Sequence, residues 1–246
     1  MKTVRFKEGR YIGDPLNAVR IFNEKEVDEL IVLDIDATAQ QRVPDFVAIE
    51  HLAAECRMPL CYGGGVKTID QALRIFDLGV EKIAMSSAAI ENPAFVGALA
   101  ERVGTQSVVV VLDVKRKAGS RNYEVIIRNG SKPTGKDPAD MAYEMQTRGA
   151  GEIVINSIDN DGMMAGYDTE VAQLIRSRVT LPVTVLGGAS SLKDIGELIR
   201  QFGIIGAAAG SLFIFKGSLK AVLINYPTSD AKDEFIRMSL LPPAGP

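Results

Sequence analysis

Short runs of apolar residues recur along the chain, and a polar turn and an amphipathic helical stretch follow each of them. The runs are nearly continuous in Val, Ile, Leu and Ala, which is typical of strands buried on both faces of a parallel sheet. The predicted strands are Glu29–Asp34, Pro59–Tyr62, Lys82–Met85, Ser107–Asp113, Glu152–Ser157, Pro182–Leu186 and Ile205–Ala209. Helical periodicity predicts helices between them, for example over Asp45–Cys56 and Thr68–Leu78.

The second half of the chain repeats the first. Residues 29–36 (ELIVLDID) correspond to residues 152–159 (EIVINSID), an offset of 123 residues (152 − 29). At the same offset, the glycine pair at 64–65 corresponds to the pair at 187–188. The serine pair at 86–87 corresponds to Gly210-Ser211 with a slip of one residue. Three ordered matches at one offset indicate an internal duplication.

Duplication and strand–helix alternation together predict an α/β fold, a (β/α)8 barrel of the TIM type. We expect one domain over residues 1–246, with half-barrels at about 1–121 and 122–225 and a C-terminal tail over 226–246. A doubly wound open sheet is the alternative fold. No GxGxxG motif follows a first strand, so dinucleotide binding has no support.

Composition and charge narrow the class of protein. The 246 residues are 46% hydrophobic and 24% charged, which is ordinary for a globular chain. The net charge of −3 argues against a nucleic-acid partner. The 14-residue uncharged stretch Phe202–Phe215 is too short to span a membrane, and Met1–Lys7 lacks the apolar region of a secretory signal. Cys56 and Cys61 form neither a zinc nor a redox motif. We expect a cytoplasmic protein with no metal and no cofactor.

Glycine and serine residues follow strands in both halves, at the face of a barrel where catalytic loops lie. Glycines at 63–65 and 187–188 would let backbone N–H groups approach an anion, because no Cβ intervenes. Ser86-Ser87 and Gly210-Ser211 end strands and begin helices, where phosphate is favoured. Tight turns are the alternative interpretation of the glycines. The repetition in both halves favours a ligand with two phosphates, one bound by each half.

Carboxylates at the strand ends are the candidate acids and bases, since the chain has no Ser-His-Asp set, GxSxG motif or P-loop. The only histidine, His51, lies within a predicted helix, and we interpret it as a solvated residue. Structural caps would account for Asp34 and Asp159. The strand that ends at Asp113 is the most apolar one, and Asp113 is therefore the best candidate for general acid/base catalysis.

Several segments resemble the cyclase subunit of imidazole glycerol phosphate synthase, over about Lys2 to Phe215. They are Tyr62–Val66, Ser86–Pro93, Gly104–Lys115, Thr134-Gly135, Gly149–Glu152, Ser157–Gly162, Gly166–Asp168 and Leu186–Ala189. The resemblance implies a barrel that accepts ammonia from a glutaminase partner. The ammonia would attack a bisphosphorylated ribulosyl aminoimidazole carboxamide nucleotide. Ring closure and cleavage would yield imidazole glycerol phosphate and an aminoimidazole carboxamide ribotide.

The resemblance also implies roles for individual residues. Asp113 would be the catalytic acid/base, and Lys2 would belong to a mobile loop that folds over the substrate. One phosphate would lie at Gly65, Ser86 and Ser87, and the other at Asp161, Gly162, Gly188, Ala189, Gly210 and Ser211. Glu29, Lys82 and Glu152 would form a charged gate at the barrel bottom, where ammonia enters. A ring of ion pairs that only stabilises the barrel is the alternative for these three.

Two departures from the family pattern affect the interpretation. The family's first strand, with a catalytic aspartate and a fourth gate residue (an arginine), would lie upstream of Lys2, so we expect the barrel to lack its usual first strand. Asn23–Thr38, Glu55–Tyr62 and Ala221–Pro227 are similar to a sister group in surface-polysaccharide pathways. An ammonia-delivering subunit for amidino-sugar synthesis and a catalytically weak partner of a glutaminase are therefore alternative functions. The isomerase of the histidine pathway is a near relative, but the gate set and residues 157–162 favour the cyclase.

Overall fold

A computed structural model describes residues 3–7, 9–217 and 219–240, so Lys2 lies outside the described residues. The strands are β1 (Leu30–Leu33), β2 (Leu60–Gly63), β3 (Lys82–Met85), β4 (Val108–Arg116), β5 (Tyr123–Ile127), β6 (Lys132–Pro133), β7 (Glu152–Ser157), β8 (Val183–Leu186), β9 (Gly206–Ala208), β10 (Phe215–Lys216) and β11 (Ala221–Val222). The helices are α1 (Pro15–Glu24), α2 (Phe46–Glu55), α3 (Ile69–Asp77), α4 (Ser87–Glu91), α5 (Ala94–Val103), α6 (Pro138–Arg148), α7 (Thr169–Arg176), α8 (Leu192–Phe202), α9 (Ser211–Ile214) and α10 (Ser229–Leu240).

Seven parallel strands form one curled sheet in the order β1-β2-β3-β4-β7-β8-β9. Every predicted apolar run is one of these strands, and the predicted α/β architecture of the TIM-barrel type is confirmed. Within the described residues, β1 pairs only with β2 and β9 only with β8. No helix in this part of the chain is long and apolar enough to cross a bilayer.

Apolar side chains form two layers on the two faces of the sheet. The larger layer lies between strands and helices and includes Ile83, Leu112 and Ile155. The smaller layer lines the concave interior of the sheet and consists of Cys61, Ala84, Val109, Val111 and Val154, with Ile31, Leu33 and Leu186 packed against it. Because side chains alternate along a strand, residues two positions from these also face the interior, at its two ends.

Matching helix caps support the duplication. Asp45 accepts the N–H of Ala48 at 3.1 Å at the start of α2, and Asp168 accepts that of Val171 at 3.2 Å at the start of α7. Asp45 and Asp168 are 123 residues apart (168 − 45), which is the offset of the sequence repeat. The glycine pairs at 64–65 and 187–188 also share a conformation, because all four have positive φ angles.

Two features differ from the sequence-based expectations. Asp113 does not end its strand, because β4 continues to Arg116 and pairs antiparallel with β5, Asp113 opposite Ile126. The β5–β6 hairpin was not among the predicted strands. The C-terminal tail over 226–246 contains α10, which packs on α8 so closely that a Cβ on Gly196 would lie 2.8 Å from the Phe235 ring. The described part of the tail, up to Leu240, is thus attached to the barrel through that helix.

Candidate active site

Three side chains from three strands meet at the carboxyl end of the sheet. Asp113 on β4 accepts the Nδ2–H of Asn156 on β7, at 3.0 Å from its Oδ1. Its other oxygen, Oδ2, accepts the hydroxyl of Ser86, which follows β3, at 3.2 Å. Asp113 and Asn156 stand directly opposite each other in the parallel pairing of β4 with β7. Strand register therefore fixes this contact.

The carboxyl group of Asp113 is buried, and its pKa is higher than that of an ordinary aspartate. Burial raises the pKa of Asp113 from 3.8 to about 7, against the hydrogen bonds from Asn156 and Ser86, which lower it. The negative charge of Asp161 raises it further. A carboxyl group with this pKa is populated in both protonation states near neutral pH, which is what general acid/base catalysis requires. The predicted acid/base residue thus lies in an environment suited to that role.

The structure brings together all six residues of one predicted phosphate site. They line one small recess together with four further residues, Met164, Leu186, Gly187 and Ala209; the six are Asp161, Gly162, Gly188, Ala189, Gly210 and Ser211. Thr3, from the start of the described chain, donates its hydroxyl to Asp161 at 3.0 Å. The recess therefore lies where the N-terminal segment, the loop after β7 and the loop after β8 converge.

Sterics require a glycine at position 188 of the recess. Its φ is +105°, and an added Cβ would lie 2.0 Å from the carbonyl oxygen of Gly166. The N–H of Gly166 in turn donates to the carbonyl oxygen of Gly188 at 2.8 Å. Gly188 is therefore needed for the close approach of the Gly166 backbone, which is compatible with a role in binding an anion.

The other predicted phosphate site consists of Gly65, Ser86 and Ser87, and the two hydroxyl groups have protein partners. Ser86 donates to Asp113, as described above, and Ser87 accepts the backbone N–H of Arg128 at 2.9 Å. Ser87 is buried at the start of the short helix α4. The bond from Arg128 leaves the hydroxyl hydrogen of Ser87 able to donate to a phosphate, whereas that of Ser86 is directed at Asp113.

The predicted gate residues meet at the opposite end of the sheet. Lys82 Nζ lies 3.0 Å from a carboxylate oxygen of Glu29 and 3.1 Å from one of Glu152. Glu152 Oε1 also accepts the hydroxyl of Thr184 on β8 at 2.7 Å. Partial burial opposes the charged form of Lys82, but the two carboxylates outweigh it and raise its pKa. Lys82 is therefore a firmly charged centre between two carboxylates.

Cys61 lies in the apolar interior near this gate. Burial raises the pKa of its thiol well above the usual range, and the charges of Glu29 and Glu152 add to the effect. Because the thiolate is the reactive form, Cys61 acts as a small apolar side chain. The interior between the gate and Asp113 thus has a neutral lining.

Asp34 and Asp159, for which the sequence suggested structural caps, both accept hydrogen bonds from backbone N–H groups. Asp34 accepts the N–H groups of Asp36 and Ala37 and forms an ion pair with Arg42 at 3.2 Å. Asp159 accepts the N–H of Arg116 at 2.9 Å and so holds the end of β4. His51 is exposed on α2. Among the described residues, no group of three or more His, Cys, Asp and Glu side chains could hold a metal ion.

Two residues of these sites were not singled out from the sequence: Asn156 and Thr184. Both are inward-facing residues on strands that carry or adjoin a gate residue. A signal existed for Asn156, because counting in steps of two from Glu152 gives Val154 and then Asn156 on the same face of β7. Thr184 carries no comparable signal.

Comparison with known proteins gives consistent results. A sequence profile described as "Histidine biosynthesis protein" matches residues 1–220. The chain is 54% identical over 238 residues to a Vibrio vulnificus protein provisionally named imidazole glycerol phosphate synthase subunit hisF3, covering 97% of this chain and 92% of that one. It is 58% identical over 233 residues to a Leptospira borgpetersenii protein provisionally named subunit HisF, covering 95% and 92%. Imidazole glycerol phosphate synthase subunit HisF of Dictyoglomus turgidum is 36% identical over 215 residues, covering 87% and 84%.

Proposed function

Because this chain belongs to the histidine biosynthesis protein family and is an enzyme of the HisF type, we propose that it uses ammonia to convert a bisphosphorylated nucleotide. The substrate is the ribulosyl aminoimidazole carboxamide nucleotide. The products are imidazole glycerol phosphate and aminoimidazole carboxamide ribotide. A glutaminase subunit supplies the ammonia at the amino-terminal end of the strands.

One observation carries the proposal: two polar clusters lie at opposite ends of one apolar interior. The charged cluster around Lys82 lies at the amino ends of the strands, and the cluster around Asp113 lies at their carboxyl ends. The side chains between them, such as Ala84 and Val154, are small or apolar. A neutral molecule of the size of ammonia suits such an interior, whereas an ion would lose its hydration there.

Asp113 is the group that moves protons in the proposed reaction. Addition of ammonia to an electrophilic carbon leaves a cationic nitrogen that must lose a proton, and cleavage of the leaving group requires a proton. A carboxyl group with a pKa of about 7 can accept the first proton and supply the second. The hydrogen bonds from Asn156 and Ser86 hold its two oxygens in fixed directions.

The two phosphates of the substrate anchor it across the mouth. The recess around Gly188 and Ser211 takes one phosphate, and the loop at Gly65, Ser86 and Ser87 takes the other. Backbone N–H groups at the strand ends are the main donors at both positions. Lys2, which lies outside the described residues, covers the substrate from the N-terminal segment. An intact substrate spans both halves of the barrel, with its reacting centre near Asp113.

Turnover with ammonium chloride tests the proposal. The full chain, supplied with the nucleotide and ammonium chloride, should form imidazole glycerol phosphate, detected by chromatography. Asp113→Asn should lower turnover about 10²- to 10⁴-fold, while His51→Ala, a change on an exposed helix face, should leave it unchanged. With a glutaminase partner present, Lys82→Ala should uncouple glutamine hydrolysis from product formation but retain turnover with ammonium chloride.

The results also separate the alternatives. Absence of product from the wild-type chain with ammonium chloride would contradict the proposal. Binding of a glutaminase without any turnover would favour the catalytically weak partner. Ammonia transfer to a sugar derivative in place of the nucleotide would favour amidino-sugar synthesis. Crystals grown in phosphate should show an anion at each of the two loops, and two empty ordered loops would contradict the bisphosphate substrate.

A further inference from the structure

Asn156 carries a buried acceptor atom that the fold itself does not use. The side chain is 6% exposed, and no donor among the described residues lies within hydrogen-bonding distance of its Oδ1. A buried amide oxygen without a donor costs about 1–3 kcal/mol, and native proteins rarely retain one without a use. The atom lies beside the acid/base residue, at the end of the apolar interior.

The direction of this oxygen is fixed by Asp113. Asn156 donates its Nδ2–H to Asp113. In the ionised state, in which Asp113 can take up the proton of the ammonia adduct, the carboxylate only accepts hydrogen bonds, so the Nδ2 group of Asn156 faces it and Oδ1 points elsewhere. Gly187 passes close to the oxygen on another side, where an added Cβ would lie 3.4 Å from Oδ1. Because Gly187 has no side chain, the space next to Oδ1 on that side is not filled.

We infer that Asn156 Oδ1 is the acceptor that binds the incoming ammonia next to Asp113. This inference rests on the proposed function and adds the binding site for the nitrogen nucleophile. Glu152, Val154 and Asn156 lie on the same face of β7, so the oxygen is the first polar acceptor on this strand above the gate. Four residues of strand place it about 13 Å from the gate.

An amide oxygen suits ammonia for a chemical reason. It accepts one N–H of ammonia but does not take up a proton near neutral pH, and it carries no charge that would favour ammonium. The nitrogen lone pair therefore remains available for attack. A carboxylate at the same place would stabilise ammonium, which has no lone pair and is not a nucleophile.

The test uses the full chain with ammonium chloride as the nitrogen source, and it compares three variants. Asn156→Leu removes the acceptor, and we expect the KM for ammonium chloride to rise about 3- to 10-fold, the value of one neutral hydrogen bond, with little change in the KM for the nucleotide. Asn156→Asp keeps an oxygen there, and we expect an unchanged or lower KM for ammonium chloride with a reduced kcat.

Ser86→Ala is the matched control, because it removes the other hydrogen bond to Asp113 and leaves the amide oxygen in place. It should shift the acidic limb of the pH–kcat profile, as Asn156→Leu does, without raising the KM for ammonium chloride. An equal rise of that KM in Ser86→Ala would show that Asn156 acts only by positioning Asp113, and would overturn the inference.

Two further outcomes would also overturn it. One is a rise of the KM for the nucleotide alone in Asn156→Leu, which would mean that Oδ1 accepts an N–H of the substrate. The other is an unchanged KM for ammonium chloride in that variant. If circular dichroism shows that Asn156→Leu does not fold, the comparison of Asn156→Asp with Ser86→Ala still decides the question. An equal rise of the KM for ammonium chloride in these two variants would contradict the inference. Absence of wild-type turnover would instead contradict the proposed function.

Discussion

Replacing Lys82 by Met should destabilise the protein much more than the same change at Lys132. The two lysines make ion pairs of the same length, 3.1 Å to Glu152 and 3.1 Å to Glu91. They differ in exposure: the Lys82 side chain is 26% exposed and that of Glu152 15%, against 52% and 37% for the second pair. Lys82 also bonds a second carboxylate, Glu29, so its removal leaves two negative charges facing each other.

The size of the effect follows from burial. An exposed ion pair contributes about 0–1 kcal/mol, whereas removing one partner of a buried pair costs about 3–5 kcal/mol. The partly buried Lys82 lies between these limits, so we expect a loss of about 2 kcal/mol for Lys82→Met and about 0.5 kcal/mol or less for Lys132→Met. In a chain of this length the first value lowers Tm by about 4–8 °C and the second by about 2 °C or less.

The loss should depend on pH in a defined direction. Without Lys82, the negative charges of Glu29 and Glu152 repel each other in the folded variant, and the repulsion ends when either carboxylate takes up a proton. Protonation at lower pH therefore stabilises the folded variant, and the deficit in Tm should be larger at pH 8 than at pH 5. Differential scanning calorimetry at the two pH values measures both effects.

The double variant Lys82→Met with Glu29→Gln is the control, since it removes the repulsion and should recover about half of the loss. Two results would refute the reasoning. One is an equal change in Tm for Lys82→Met and Lys132→Met. The other is a deficit for Lys82→Met that stays constant or grows as the pH falls.

Other predictions concern the site and the duplicated caps. Asp113→Asn should lower kcat about 10²- to 10⁴-fold. Because the pKa of Asp113 in the folded protein, about 7, exceeds the ordinary value of 3.8, the wild type loses stability as the pH rises from 5 to 8 and the variant does not, so the Tm of the variant relative to wild type should increase over this range; no increase would contradict a buried charge at Asp113. Asp45→Ala should lower the free energy of unfolding in urea by about 1 kcal/mol. Asp168→Ala should lower it by more, because Asp168 also accepts the Tyr123 hydroxyl at 2.9 Å, and equal losses would contradict this contact. Gly188→Ala should cost at least about 1–3 kcal/mol, because its positive φ strains an alanine and the added Cβ would lie 2.0 Å from the carbonyl oxygen of Gly166. Unchanged stability would contradict that backbone geometry.

The sequence predicts the strands well because their signal is local. Parallel strands buried on both faces are continuous apolar runs, and the predicted bounds of Lys82–Met85 and Glu152–Ser157 agree with the structure residue for residue. The β5–β6 hairpin was missed because its strands are short and partly polar. Asn129-Gly130, with positive φ angles in both residues, is a hairpin signal that could have revealed it.

The contacts of the site could not be predicted in the same way. Asp113 is separated by 27 residues from Ser86 and by 43 from Asn156, and these contacts depend on the register between three strands. A shift of one residue in the pairing of β4 with β7 would turn Asn156 away from Asp113. The sequence could therefore single out Asp113 as the candidate acid but not its hydrogen-bond partners. The three proposed gate residues were singled out only through the family resemblance, since nothing local distinguishes them from other charges at strand starts.

The two polar clusters are linked by rigid strands, and this bears on how they cooperate. β3 carries Lys82 at one end and precedes Ser86 at the other, and β7 carries both Glu152 and Asn156. The strands between them are packed on both faces, so a rearranged ion pair at the gate cannot tilt Asn156 without breaking the pairing of β4 with β7. Under the proposed function, the two ends should therefore communicate through the passage of ammonia and not through a change of shape. For this reason gate variants should lose turnover with glutamine while keeping the wild-type pH profile with ammonium chloride.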